Sequence, residues 1–275
     1  MVSQHPGMPA WSAPRDGVPP VAPATAFGAP DAFTGADGTG VRVCILDTGV
    51  DPTHPRVGPI ERSMGVIETA EGAEVVEIAA EDSVGHGTAC AGVIRSLAPK
   101  AALASVRVLT SGVQGSGSVL LAGLRWAVEQ GYDVINLSLS TARPGLRTEL
   151  GELCDSAYFR RSVICAAAHN SPRPSYPWRF GTVLSVGSCA ERPAAAGYAH
   201  CYNPAPPVEF YAPGIGVEVA WLRHSVIRAT GNSFATPYLA GLCALLLSKH
   251  PNLTPFELKT LLFLTARNVG AIHDD

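Results

Sequence analysis

The sequence predicts an α/β protein with a mostly parallel central sheet and helices on both faces. Three observations carry this. From Gly40 onward, short apolar runs of strand length alternate with longer helical segments, the pattern of repeated βα units. The strand-like runs are nearly continuous, as in Val41-Arg42-Val43-Cys44-Ile45-Leu46, which is how a strand buried on both faces reads. The chain has 275 residues, 47% hydrophobic and 16% charged, enough to bury a large core.

Residues 1–37 stand apart. Pro6, Pro9, Pro14, Pro19, Pro20, Pro23 and Pro30 break any regular element. The segment reads as a flexible proline-rich arm, too short for a core of its own. The alternative is an arm that lies in or near a cleft of the 38–275 domain and restrains it. The first strand, 41–46, ends at Asp47. A helix is expected over 86–97, a strand over 103–109, a helix over 118–130 and a strand over 133–139. A helix at 148–160 precedes a strand at 162–168, which runs into His169-Asn170. Strands at 182–186 and 208–212 follow, then helices at 233–249 and 255–268. Leu239-Ala240-Gly241-Leu242-Cys243-Ala244-Leu245-Leu246-Leu247 is apolar on all sides, as for a helix through the domain centre.

In such sheets ligands bind beyond the carboxyl ends of the strands. Asp47 and Asn170 fall at strand ends, and His86 and Ser233 at helix starts, so all four reach one edge. The patches are Asp47-Thr48-Gly49, His86-Gly87-Thr88 and Gly231-Asn232-Ser233-Phe234-Ala235-Thr236-Pro237, with Ala167-Ala168-His169-Asn170 as a fourth. A serine hydroxyl is a poor nucleophile unless a base lies within reach and an orienter stands behind that base. Ser233 is assigned as nucleophile, His86 as general base and then acid, and Asp47 as orienter. Ser233 N–H, free at a helix start, and the Asn170 amide would stabilise an oxyanion. Pro237 is expected in the first helical turn, where its missing N–H costs nothing.

In the order Asp…His…Ser, these patches resemble the catalytic triad of the subtilisin-like serine peptidases (subtilases, peptidase S8). The resemblance extends to Asp82 and Gly85, Leu97-Ala98-Pro99, Val134-Ile135-Asn136-Leu137-Ser138-Leu139, Tyr211-Ala212-Pro213-Gly214 and Ser248-Lys249-His250-Pro251-Asn252. It runs from about Val41 to about Thr265. It implies a three-layer subtilisin-like fold, an acyl-enzyme on Ser233, and a peptide or protein substrate bound as an added strand. By resemblance, Gly115-Ser116-Gly117 and Ser138-Leu139-Ser140 are the edges that hold it.

The chain departs from the family pattern at several points. His169 replaces the glycine before the oxyanion asparagine, and Ser138-Leu139-Ser140-Thr141 replaces Ser-Leu-Gly-Gly. Both changes fall on the walls of the pocket for the residue before the scissile bond. A narrower, more polar pocket and restricted specificity are expected, with His169 favouring a small or acidic residue. Asn232 stands for threonine, Phe234 for methionine and Val84 for asparagine. Calcium is the cofactor the resemblance raises. The link Arg95-Ser96-Leu97-Ala98-Pro99-Lys100 is too short for the calcium loop of secreted members, so no cofactor is expected.

A formal net charge of −3 and no basic stripe exclude a nucleic-acid partner. No apolar run is long enough to span a membrane. No basic segment followed by an apolar one opens the chain, so a cytoplasmic protein is expected. Seven cysteines at irregular spacing read as reduced, packed thiols. A lone Asp-Thr-Gly does not make an aspartic peptidase, and Gly112-Val113-Gln114-Gly115-Ser116-Gly117 matches no phosphate loop. Two rivals to a processing protease remain: a weak or inactive subtilase-fold peptide-binding module, and a general turnover protease. A dedicated precursor-peptide or protein partner fits the processing reading.

Overall fold

A computed structural model describes Ala10, Ser12, Gly17 and residues 32–70, 72–110, 115–190 and 198–269. Most of the proline-rich arm, including every proline in it, lies outside the described residues. The elements run β1 (Arg42–Asp47), β2 (Arg62–Thr69), β3 (Gly72–Glu77), α1 (His86–Leu97), β4 (Ala102–Arg107), α2 (Gly117–Glu129) and β5 (Val134–Leu137). Then follow α3 (Arg147–Phe159), β6 (Val163–Ala167), β7 (Leu184–Cys189), β8 (Cys201–Tyr202) and β9 (Phe210–Pro213). The chain closes with β10 (Val217–Trp221), β11 (Ser225–Ala229), α4 (Asn232–Lys249) and α5 (Pro255–Leu264).

The large sheet has the order β3-β2-β4-β1-β5-β6-β7-β9-β8. All neighbours pair in parallel except at the two edges, where β3 and β8 run antiparallel. Strand alternation splits the core between the two faces. Val43 and Ile45 pack with Ala91 and Ile94 of α1 and Leu239, Leu242 and Leu246 of α4. Cys44 and Leu46 pack with Leu121 and Leu124 of α2 and Leu150 and Leu153 of α3. The result is the expected three-layer α/β architecture. Among the described residues, no helix is long and apolar enough to cross a membrane.

Several boundaries differ from the sequence reading. β7 ends at Cys189 rather than 186, and α5 stops at Leu264 rather than 268. Beyond α5 the chain is drawn to β8, because Asn268 pairs with both backbone groups of Tyr202. The hairpins β2–β3 and β10–β11 were not expected at all. α4 begins at Asn232, which puts Pro237 past the first turn. Its ring therefore removes the N–H that would meet Ser233 O. Cys90 Sγ lies 3.7 Å from that carbonyl in its place.

Candidate active site

Asp47 is the last residue of β1 and is fully buried. His86 opens α1, and its Nδ1 lies 2.8 and 2.9 Å from the two oxygens of Asp47. The helix start is held there by Asp82. Its carboxylate accepts from Val84 N, Gly85 N, Thr88 N and Thr88 Oγ1, and from Thr48 Oγ1 next to Asp47. Thr48 Oγ1 accepts in turn from Gly87 N at 3.0 Å. A Cβ on Gly87 would collide with Gly49 O, so the glycine beside His86 is what lets α1 approach the end of β1. Asp82 entered the sequence reading only as a motif residue; its role as the knot of this corner is visible only in three dimensions.

Burial pushes the His86 pKa down, but the Asp47 charge and hydrogen bond outweigh it, and the net direction is upward. Asp47 therefore favours the imidazolium and, in the neutral ring, the tautomer with the proton on Nδ1, which leaves Nε2 with its lone pair. Cys90, one turn into α1, adds a thiol 3.3 Å from Ser138 Oγ and 3.7 Å from Asp47 Oδ2. The donor atoms of Asp47, His86 and Cys90 lie within 4.8 Å of one another, a set that could hold a metal ion. Burial and the Asp47 charge push the Cys90 thiol well up, so it is a protonated donor rather than a thiolate ligand.

Ser233 sits in the first turn of α4, where backbone N–H groups lack helical partners. Asn170 is exposed and follows β6 by two residues, buried Ala168 and half-buried His169. Its Oδ1 accepts from Asn232 N at 3.1 Å, which orients the amide with Nδ2 as its donor. Both groups flank Gly231: a Cβ placed on that glycine would lie 3.3 Å from Ser233 Oγ and 3.6 Å from Asn170 Nδ2. Among the described residues no hydrogen bond joins Ser233 Oγ to His86. Phe234 bridges them sideways, its ring centroid 5.2 Å from the imidazole. Such bonds commonly tighten only when substrate arrives.

Asn232 is fully buried and ties the surroundings together. Its Oδ1 accepts from Ser188 N, and its Nδ2 donates to Ala168 O and to Ala10 O. Ala10 N–H in turn donates to Asn170 O at 2.6 Å, and Ser12 Oγ lies 3.1 Å from Ser188 Oγ. The two described residues of the arm that make these bonds are thus docked against Asn170, Asn232 and Ser188.

The residues expected to edge a substrate are placed as follows. Ser138 is buried and accepts from Asn136 Nδ2, and Ser140 bonds Ser175. Ser116 caps α2, and its hydroxyl meets Glu68 of β2. Gly115 abuts Val108 O and Gly117 abuts Leu146. His169 turns toward its own loop: Nδ1 meets the Ser171 backbone at 2.9 Å and Nε2 meets Arg173 Nε at 3.2 Å. Burial and the Arg173 charge lower its pKa. Spacing in the sequence gives no sign of Ser175, Trp178 or Arg173. At the link between α1 and β4, Arg95 donates to Val57 O, Pro59 O, Pro99 O and Ala101 O at 2.8–3.0 Å.

The profile of the subtilase family, peptidase S8, matches residues 38–275. Subtilisin DY of Bacillus licheniformis is 32% identical over 253 residues, covering 86% of this chain and 87% of that protein. Subtilisin Savinase of Lederbergia lenta is 32% identical over 252 residues, covering 87% and 88%. Among solved structures, a cold adapted subtilisin-like serine proteinase superposes with a TM-score of 0.67 at 27% identity, covering 86% of each chain. With the Asp–His pair and a serine beside an asparagine amide at one sheet edge, the chain belongs to the subtilase family and is a serine-type endopeptidase.

Proposed function

We propose that Asp47, His86 and Ser233 form the catalytic triad, with Asn170 as oxyanion donor, in an intracellular processing peptidase of restricted specificity. The observation that carries the residue roles is the approach of Ser233 Oγ and Asn170 Nδ2 to the same glycine, Gly231, in a site whose imidazole is clasped by a buried carboxylate. Ser233 Oγ attacks the scissile carbonyl while its proton passes to His86 Nε2. The oxyanion takes hydrogen bonds from Asn170 Nδ2 and Ser233 N–H. His86 then protonates the leaving amine, and water, activated by the same imidazole, releases the acyl group.

The cellular role rests on lesser supports. All seven cysteines are buried free thiols, suited to a reducing compartment. Arg95 supplies a resident cation to carbonyls at the link where secreted relatives carry a calcium loop, so activity without calcium is part of the proposal. The substrate is a peptide or protein, trimmed from a dedicated precursor, with no nucleic acid or membrane involved.

Labelling by a fluorophosphonate, a serine-directed phosphonylating probe, tests the residue roles. Wild type is expected to label and Ser233→Ala is not. Equal labelling of both would remove Ser233 from the mechanism. Failure of both, with the fold intact by circular dichroism, would favour the peptide-binding module.

A further inference from the structure

Ala10 of the proline-rich arm is buried and makes hydrogen bonds to two distant parts of the chain. Its N–H donates to Asn170 O at 2.6 Å, and its carbonyl accepts from Asn232 Nδ2 at 2.8 Å. Asn232 N–H donates in turn to Asn170 Oδ1 at 3.1 Å. The three residues form a closed ring of hydrogen bonds. Asn170 is held at its backbone by Ala10 and at its side chain by Asn232, the residue before Ser233. Ser12 adds a second tie. The one hydroxyl proton of Ser188 goes to Asn232 Oδ1 at 2.9 Å, so Ser188 Oγ accepts from Ser12 Oγ at 3.1 Å.

The buried Asn232 amide is fully used only with the arm in place. Its Oδ1 accepts from Ser188 N and Ser188 Oγ, and its Nδ2 donates to Ala168 O and Ala10 O. Without Ala10 a buried N–H loses its acceptor, a group that is costly to leave unpaired. A threonine at 232 would have one donor, too few for both carbonyls. We propose that the arm is a working part of the active site, with Ala10 as a positioning residue that fixes Asn170 as oxyanion donor. The inference rests on the peptidase reading above. Ala10 takes no part in bond making and acts through Asn170. An oxyanion donor has to be held to within about 0.5 Å, and Asn170 is exposed, so ties at both its backbone and its side chain supply what its surroundings do not. An arm that restrained the cleft would act with the opposite sign, since loosening it would raise activity.

The test keeps the full chain. Ala10→Pro removes the N–H given to Asn170 O, and Ala10→Glu puts a charged side chain where alanine is buried and undocks both bonds. The substrate is a peptide coumarylamide that the wild type cleaves, chosen from a mixed library, and the rate of fluorophosphonate labelling is read in parallel. Each variant is expected to lower kcat about tenfold, part of the roughly hundred- to thousandfold that a lost oxyanion donor costs, with KM nearly unchanged. In an Asn170→Ala background the same substitutions should change kcat by less than about twofold, because the side chain they act through is gone. A contact that only supports the fold would lower Tm and cost the same factor in both backgrounds, and that result overturns the inference. So does a wild-type kcat in the Ala10 variants, or a kcat above it, which would make the arm a restraint. Should Ala10→Glu not fold, the Ala10→Pro cycle decides alone. A wild type that neither labels nor cleaves any library peptide overturns the peptidase reading, and this inference with it.

Discussion

Asp47 and His86 are anchored by hydrogen bonds from two loops and a helix start, nearly all buried, whereas Asn170 and His169 hang from an exposed stretch between β6 and the Ser175–Trp178 turn. The first half is over-determined: Asp82 alone gathers donors from Thr48, Val84, Gly85 and Thr88. The second half is held by scattered bonds with no common knot, among them Asn232 N to Asn170 Oδ1, Ala10 N to Asn170 O and Ser175 to Ser140. Acid–base chemistry needs one fixed geometry, and a rigid corner supplies it. Selectivity needs only a wall of the right shape, and loops supply walls that can change without disturbing the chemistry.

Dismantling the nucleophile has the largest expected effect. Ser233→Ala should lower kcat by about a millionfold, a magnitude carried over from subtilisin, with Tm little changed. Asp47→Asn follows, at about ten-thousandfold in kcat if the imidazole tautomer is lost, read in the same steady-state assay. It also tests the direction of the His86 shift. The base must be neutral, so wild-type activity should fall away as pH drops through a value above the ordinary histidine 6.5. Removing the Asp47 charge leaves burial, which acts in the opposite sense and outweighs the smaller upward pull of the Asp82 charge, so the acidic limb of the pH–rate profile should move to lower pH. Stability runs the other way. A raised histidine pKa contributes fully below 6.5 and is lost as pH rises through the folded value, which urea titrations at several pH values would show. A limb that stays in place in Asp47→Asn would break the account of the rigid half.

Asn170→Ala probes the looser half and should cost roughly a hundred- to a thousandfold in kcat, with KM nearly unchanged. A loss confined to KM would mean the amide binds ground state rather than oxyanion. His169→Ala is the smallest expected change. Its nitrogens serve their own loop, so the alanine-to-aspartate preference in kcat/KM should shift by less than about threefold, under 1 kcal/mol.

Much of this contrast was legible before the structure. β1 and α4 announce themselves, since a strand buried on both faces and a central helix have no polar side to confuse the pattern. The motif glycines mark where backbones must meet. β2–β3 escaped because Arg62, Glu68, Glu74 and Glu77 interrupt a half-exposed antiparallel edge. β10–β11 escaped for a similar reason, with Glu218 and Arg228 paired across an exposed face. Asn170, His86, Asp47 and Ser233 could be picked out because each lies within a motif. Ser175 could not, because its bonds to Trp178 and Ser140 form only where the Thr141–Tyr176 bridge brings the two segments together. Asp82 could be noticed but not explained, since its partners come from both sides of the corner.

Arg95 holds four carbonyls from two loops with one guanidinium. Replacing it by alanine should lower Tm by about 5–10 °C, corresponding to ~2–3 kcal/mol, while a chelator should leave the wild-type Tm where it was. A bound metal stabilises a fold only in proportion to the logarithm of its free concentration over its dissociation constant. A cation carried on the chain has no such dependence. It cannot be dialysed away, competed off by phosphate or diluted by moving to a compartment poor in calcium, so this corner of the fold holds its strength wherever the chain is made.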